Sequence, residues 1–202
     1  MSQAPFILAS TSPQRFRLLE QMGLRFTVRP AECAEDLDQE PDADRLVELI
    51  TRQKMAAAHQ QFPRELVTGA WILSSDTLVA LDHHRLGKPA DRTEAGAFLD
   101  LLAGRSHQVL TGVCLSVPDG RGGASVHYTC STSEVRFRDL TPTDREWYLD
   151  AGDWEGAAGG YRIQGLASCF IAEITGSYSG IVGLPIHDLY AILRELGYDF
   201  IL

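Results

Sequence analysis

Short apolar runs and helical apolar stripes alternate along the chain. Phe6-Ile-Leu-Ala9 predicts a strand, and Ser12-Pro13 predicts a helix start shortly after it. Serine is a favoured N-cap, and proline suits the first helical position because its missing N–H would be unpaired there anyway. Arg25-Phe-Thr-Val28 reads as a short strand, and the acidic segment from Glu32 to Asp44 as an exposed loop. A helix is expected over roughly Asp44 to Gln61, with Leu46, Leu49, Ile50 and Ala57 at core spacing. Two further apolar runs, Trp71-Ile-Leu73 and Leu78-Val-Ala-Leu81, flank the polar Ser74-Ser-Asp-Thr77.

The second half is punctuated by stronger signals. Asp91 and Glu94 form a candidate capping box for a helix with Ala95, Phe98, Leu99 and Leu102 on its apolar face and Gly104 as its stop. Strand-like segments run from His107 to Val117 and from about Tyr128 to Arg138, joined by the turn-rich stretch from Pro118 to Gly123. Thr141-Pro142 opens another capped helix, Gly156 to Gly165 is glycine-dense, and a last helix spans about Asp188 to Leu196, closed by Gly197. No repeat or low-complexity linker divides residues 1–202, so a single domain is expected. The order of elements predicts an α/β fold, or an α+β one: a long, curved mixed β-sheet with flanking helices and two lobes around a cleft.

Composition narrows the function. The 202 residues carry a formal charge of −9, which argues against a broad nucleic-acid-binding surface because such proteins need a basic footprint. A small, locally basic pocket remains compatible with that charge. No apolar stretch approaches the ~20 residues needed to cross a bilayer, and the start of the chain lacks the basic residues and long apolar run of a secretory signal. Cys33, Cys114, Cys130 and Cys169 are widely spaced, so packed thiols in a reducing cytoplasm are expected. The six histidines show no ligand spacing, and His83-His84 reads as a turn.

Several segments carry candidate chemistry. The Ser10–Arg15 junction is either an ordinary strand-to-helix turn or an anion site made by free N–H groups and the helix dipole. Asp76, between two apolar runs, is either a strand-end carboxylate that holds a metal or orients a water, or a turn aspartate capping its own backbone. Lys54 falls four residues after Ile50, in the row of the buried face; it either points inward or snorkels its ammonium into water. Gly87-Lys88-Pro89 fails as a P-loop, since Asp82 and Pro89 stand where glycine and Ser or Thr are required. The glycine-dense segment is a tightly turning one that could bring Arg162 and Gln164 close to a ligand. No G-x-S-x-G elbow is present.

In order along the chain come Ala9-Ser-Thr-Ser-Pro-Gln-Arg15, Lys54, Ser75-Asp-Thr77, Leu86-Gly-Lys-Pro89, Gly104-Arg-Ser-His107 with Thr111-Gly-Val113, Gly159-Gly-Tyr-Arg-Ile-Gln-Gly165 and Gly183-Leu-Pro185. Together, over nearly the whole chain, they resemble the Maf family of nucleoside triphosphate pyrophosphatases, related in fold to the inosine triphosphate pyrophosphatases. The resemblance implies hydrolysis of a nucleoside triphosphate to the monophosphate and pyrophosphate with a divalent cation (magnesium, manganese or cobalt), in a homodimer. It makes Asp76 the proton acceptor and a metal ligand, and aligns Glu35 with a second acidic ligand, Glu32 and Asp36 being close competitors. It surrounds the triphosphate with Ser10, Ser12, Arg15, Lys54 and Lys88.

Base preference follows the same resemblance. The discriminating positions match Gln14, Thr77 and Gln164, and Gln164 resembles the dTTP/UTP branch. Gln14 departs from it, replacing the arginine usual there, and also differs from the tryptophan expected in the 7-methyl-GTP branch. Ser75 and Gly180 stand where alanine and asparagine are common. The reading is dTTP/UTP hydrolysis. Its alternatives are hydrolysis of 7-methyl-GTP or other modified nucleotides, and a low-turnover nucleotide-binding regulator of cell division.

Overall fold

The computed structural model describes residues 4–31, 33–64 and 68–200. Seven strands form one mixed sheet: β1 (Phe6–Leu8), β2 (Thr27–Val28), β3 (Trp71–Leu81), β4 (His84–Leu86), β5 (Ser106–Pro118), β6 (Ala124–Phe137) and β7 (Ile171–Thr175). The order is β2-β1-β3-β5-β6-β7, with β4 also on β3. β1 runs parallel to β2 and β3; every other pairing is antiparallel. The α-helices lying wholly within the described residues are α1 (Pro13–Gln21), α2 (Ala43–Gln61), α3 (Arg92–Leu102), α4 (Pro142–Ala151), α5 (Tyr178–Val182) and α6 (Ile186–Glu195). Among the described residues no helix is long and apolar enough to cross a membrane.

Local chemistry accounts for the helix starts. Ser12 caps α1 ahead of Pro13, and Thr141 and Asp144 form a full capping box ahead of Pro142 in α4. Only half of the expected box opens α3: Asp91 accepts from Glu94 N, but the Glu94 carboxylate turns to Ala90 N.

Two corrections concern phase. Leu49 is exposed and Ala57 only half-buried, whereas Leu46, Val47, Ile50, Thr51, Met55 and Ala58 form the buried stripe of α2. Thr51 fits there because its hydroxyl donates to Val47 O at 2.6 Å. The second correction is that the polar stretch Ser74–Thr77 is neither a strand end nor a turn: it lies in the middle of the eleven-residue strand β3. The cysteines are free thiols, but they are not uniformly packed, since Cys114 is buried and Cys169 exposed.

Among the described residues the two larger apolar groupings lie at different parts of the sheet. One joins β1, α1 and α6 through Phe6, Leu8, Leu19, Leu189 and Leu193. The other joins α3, α4 and the segment after it through Leu99, Tyr148, Tyr161 and Phe170. His107 of β5 sits in the second, 2% exposed, with Nε2 2.7 Å from the Tyr161 hydroxyl and its ring edge-on to Phe137.

Burial holds the His107 imidazole down to about 4, from an ordinary value of 6.5. Between those values the unfolded chain binds the extra proton and the folded one does not, so stability falls as pH drops through that window. The loss approaches about 3 kcal/mol, at 1.36 kcal/mol per unit. A His107→Phe protein should lose less stability than the parent between pH 7 and pH 4, measured as Tm against pH. Parallel curves for the two proteins would refute this.

Candidate active site

The cleft lies where the sheet is incomplete. β1 ends at Leu8, its last bond to β3 running from Ala9 N to Leu73 O at 2.8 Å, and β4 joins β3 only from Val79 onward. Residues 74–78 of β3 therefore have β5 along one edge and, among the described residues, no strand along the other. A cleft of about 680 Å³ fills that gap. It opens beyond the carboxyl end of a parallel strand, which is where open α/β sheets bind ligands.

Strand alternation sends neighbouring side chains to opposite faces. Ser74 and Asp76 face α2, where the Ser74 hydroxyl donates to Thr51 O at 3.2 Å. Ser75 and Thr77 face α5 and the turn after it, and the Ser75 hydroxyl donates to Gly183 O at 3.3 Å. Both sets reach the gap, because Ser75, Asp76 and Thr77 all line the cleft. A carboxylate in mid-strand would be costly without a partner. Asp76 has one: Lys54 Nζ donates to it, and Asp76 is only 6% exposed.

Lys54 points inward, settling the two readings of that lysine. It lies beside the buried stripe of α2 with its side chain 14% exposed, and it also pairs with Glu35 Oε1 at 2.7 Å. One ammonium thus holds two carboxylates from different segments. Burial alone would raise the Glu35 carboxyl. The Lys54 pair and the charges of Lys88 and Arg15 outweigh burial and bring it below the usual carboxylate range.

The loop carrying Glu35 is fastened from outside. Arg85 of β4 donates to Pro41 O at 3.1 Å and Glu40 O at 3.3 Å, and it reaches the Asp38 carboxylate at 3.5 Å. Leu37 packs on Gly87, where a Cβ would stand 2.7 Å from Leu37 Cδ1. Of the acidic competitors, Asp36 is exposed and Glu32 lies outside the described residues.

α1 supplies the opposite wall. Arg15, one turn in, donates from Nε to Gly183 O (2.9 Å), from Nη1 to Ser10 Oγ (3.3 Å) and from Nη2 to Thr77 Oγ1 (3.2 Å). Burial lowers its pKa, against the raising pull of Asp76 and Glu35, and a guanidinium stays charged in proteins. Ser10 Oγ also accepts from Ser12 N at 3.2 Å. Ser10, Ser12, Gln14, Lys88 and Gln164 line the same cleft, Lys88 and Gln164 being solvent-exposed. Asp76, Glu35, Ser10, Ser12, Arg15, Lys54, Lys88, Gln14, Thr77 and Gln164 therefore all line one cleft.

Arg162 is in the cleft wall, but its guanidinium donates to the carbonyls of Asp153 and Glu155. It staples its own loop instead of reaching outward. The same loop is tied to β4's end by Gly159 N donating to Gly87 O at 2.8 Å. Gly159 sits at φ +67 with Val79 only 2.8 Å from a would-be Cβ, a position that only glycine fits.

The donor set suits a hard divalent cation. Two carboxylates, Asp76 and Glu35, already share one positive charge, and among the described residues no cluster of three or more Asp, Glu, His or Cys side chains is gathered. Magnesium is commonly bound by one or two carboxylates plus substrate phosphates, so the residues present fit such an ion.

Comparison with known proteins identifies the family. The family model described as Maf-like protein matches residues 5–196. The chain is 40% identical over 196 residues to a dTTP/UTP pyrophosphatase of Hyphomonas neptunium, covering 96% of this chain and 97% of that one. It is 42% identical over 197 residues to a protein of the same name from Desulforamulus reducens, covering 98% and 99%. A solved nucleoside-triphosphatase / dITP/XTP pyrophosphatase of Mycobacterium abscessus is similar at a TM-score of 0.40 and 11% identity, over 73% of this chain and 95% of that one, too loosely to bear on the site. With a family match spanning nearly its whole length and relatives at about 40% identity covered almost end to end, this chain belongs to the Maf-like protein family.

Proposed function

We propose that this protein hydrolyses dTTP and UTP to the nucleoside monophosphate and pyrophosphate. The observation that carries the reading is Lys54, clamped between Asp76 and Glu35 in a cleft whose facing wall is the N-terminal turn of α1 with Arg15. Relatives at about 40% identity that bear the name dTTP/UTP pyrophosphatase support the same substrate class.

In this reading Asp76 takes the proton of a water attacking the α-phosphorus. The bond to the bridging oxygen breaks, and pyrophosphate leaves with that oxygen. Lys54, Arg15 and Lys88 neutralise the triphosphate, and Ser10 and Ser12 with the free N–H groups of α1 bind its oxygens. Asp76 and Glu35 would hold a divalent ion (Mg, Mn or Co), which supplies Lewis-acid neutralisation of phosphate charge. Gln14, Thr77 and Gln164 select the base. The reading includes a cytoplasmic homodimer acting on a small-molecule nucleotide, with neither nucleic acid nor membrane as partner.

The test is pyrophosphate release from dTTP, UTP, CTP and 7-methyl-GTP with magnesium, manganese or cobalt. Selective turnover of dTTP and UTP is expected. Selective turnover of 7-methyl-GTP would move the base and keep the chemistry, and tight binding without turnover would make the protein a nucleotide-binding regulator.

A further inference from the structure

Thr77 and Thr111 face each other across the β3–β5 ladder, with their hydroxyl oxygens 3.0 Å apart. Either could donate in that pair taken alone. The surroundings remove the ambiguity, because Thr111 Oγ1 donates to Gly180 O at 2.8 Å. A hydroxyl has one proton, so Thr111 has none left for Thr77, and Thr77 must be the donor between them. Thr77 Oγ1 also accepts from Arg15 Nη2 at 3.2 Å. The chain of donors therefore runs in one direction, from Arg15 through Thr77 and Thr111 to the Gly180 carbonyl.

This leaves Thr77 with its proton committed and one lone pair free, in the wall of the cleft. A ligand group meeting that oxygen has to bring a hydrogen. Gln14 and Gln164, in the same cleft, carry amide groups able to donate. A uracil or thymine edge offers carbonyl, N3–H and carbonyl, which matches an acceptor flanked by two donors. Cytosine offers an amino group, a bare N3 and a carbonyl, and its N3 would meet the Thr77 lone pair with no proton between them.

We propose that Thr111 is a positioning residue for base selection: by taking the Thr77 proton it locks Thr77 as an acceptor and so excludes cytosine. The inference rests on the dTTP/UTP reading and adds a residue to it. Thr111 itself is buried and meets the ligand only through Thr77.

The experiment compares kcat/KM for UTP and CTP in the parent, Thr111→Val and Thr111→Ser, with Tm measured for all three. In Thr111→Val the Thr77 hydroxyl loses its acceptor and is free to turn its proton into the cleft, toward cytosine N3. CTP hydrolysis should then rise, with the UTP/CTP ratio falling about tenfold, and Thr111→Ser should restore the parental ratio. A purely structural threonine would lower both rates together. An unchanged ratio in Thr111→Val, a serine variant that behaves like valine, or a parent that already turns over CTP as well as UTP would each overturn the proposal. A parent that hydrolyses neither nucleotide would instead refute the dTTP/UTP reading on which it stands.

Discussion

Replacing Asp76 by asparagine should slow pyrophosphate release by about 10³-fold while leaving nucleotide binding in place, since a positioned general base contributes typically 10²–10⁴-fold. The substitution keeps the shape of a side chain that is 6% exposed in mid-strand, so the cleft should survive it. What is lost is the proposed proton acceptor and one of the two negative charges held by Lys54. Losing a negative charge beside a triphosphate site does not weaken binding of a polyanion, so Kd for a non-hydrolysable dTTP analogue should stay within about threefold, or tighten. Lys54 keeps Glu35 as a partner, and the variant should therefore remain folded. Single-turnover kinetics with dTTP, alongside calorimetric binding, separates the two effects. Undiminished turnover would remove Asp76 from the chemistry, and lost binding with lost turnover would make it a structural residue.

Much of the frame was legible from local signals. Ser12-Pro13 and Thr141-Pro142 start helices where capping chemistry says they should, and the turn-rich stretch from Pro118 to Gly123 joins β5 to β6 as expected. The phase of α2 was half right, because Thr51 hides in the buried stripe by bonding back to Val47 O, a device that leaves no apolar mark. The short strands β4 and β7 were not anticipated. Three residues of β4 show no period, and β7 is largely exposed, so neither carries the alternation that marks a half-buried strand.

The site was legible as residues but not as geometry. Four polar residues in a row are costly inside a sheet, so from the sequence Ser74–Thr77 fits a strand end or a turn equally well. They are tolerated because β1 is too short to cover them and β4 begins too late, a gap set by the lengths of three separate strands. Helical spacing and the family resemblance picked out Lys54, and the resemblance alone Glu35, yet nothing in the spacing of residues 35, 54 and 76 says that one ammonium touches both carboxylates. Arg85 went unremarked, and Thr111 stood only as part of a motif with no role of its own, for the same reason. Their roles depend on carbonyls of Pro41 and Gly180, distant in sequence, and backbone acceptors have no residue signature.

That double contact makes Lys54 the second position where a large effect is expected. A Lys54→Met protein keeps the bulk of the side chain and removes the charge. Asp76 and Glu35, both held by that ammonium, would then face each other with no cation between them. Breaking a fully buried pair costs roughly 3–5 kcal/mol; with the Glu35 side chain 35% exposed, about 2 kcal/mol is a better expectation here. Glu35 would also lose the main charge that holds its pKa down, and its carboxyl should titrate higher than in the parent. Activity should fall by about 10²–10³-fold, the usual loss when one electrostatic donor to a developing charge is removed. Millimolar magnesium offers a way to tell this account from simple misfolding. If the two carboxylates are the cation site, the ion should raise Tm more in Lys54→Met than in the parent, because in the variant it no longer competes with an ammonium for them. Equal shifts in both proteins would place the cation elsewhere and leave Lys54 a structural tie between α2 and β3.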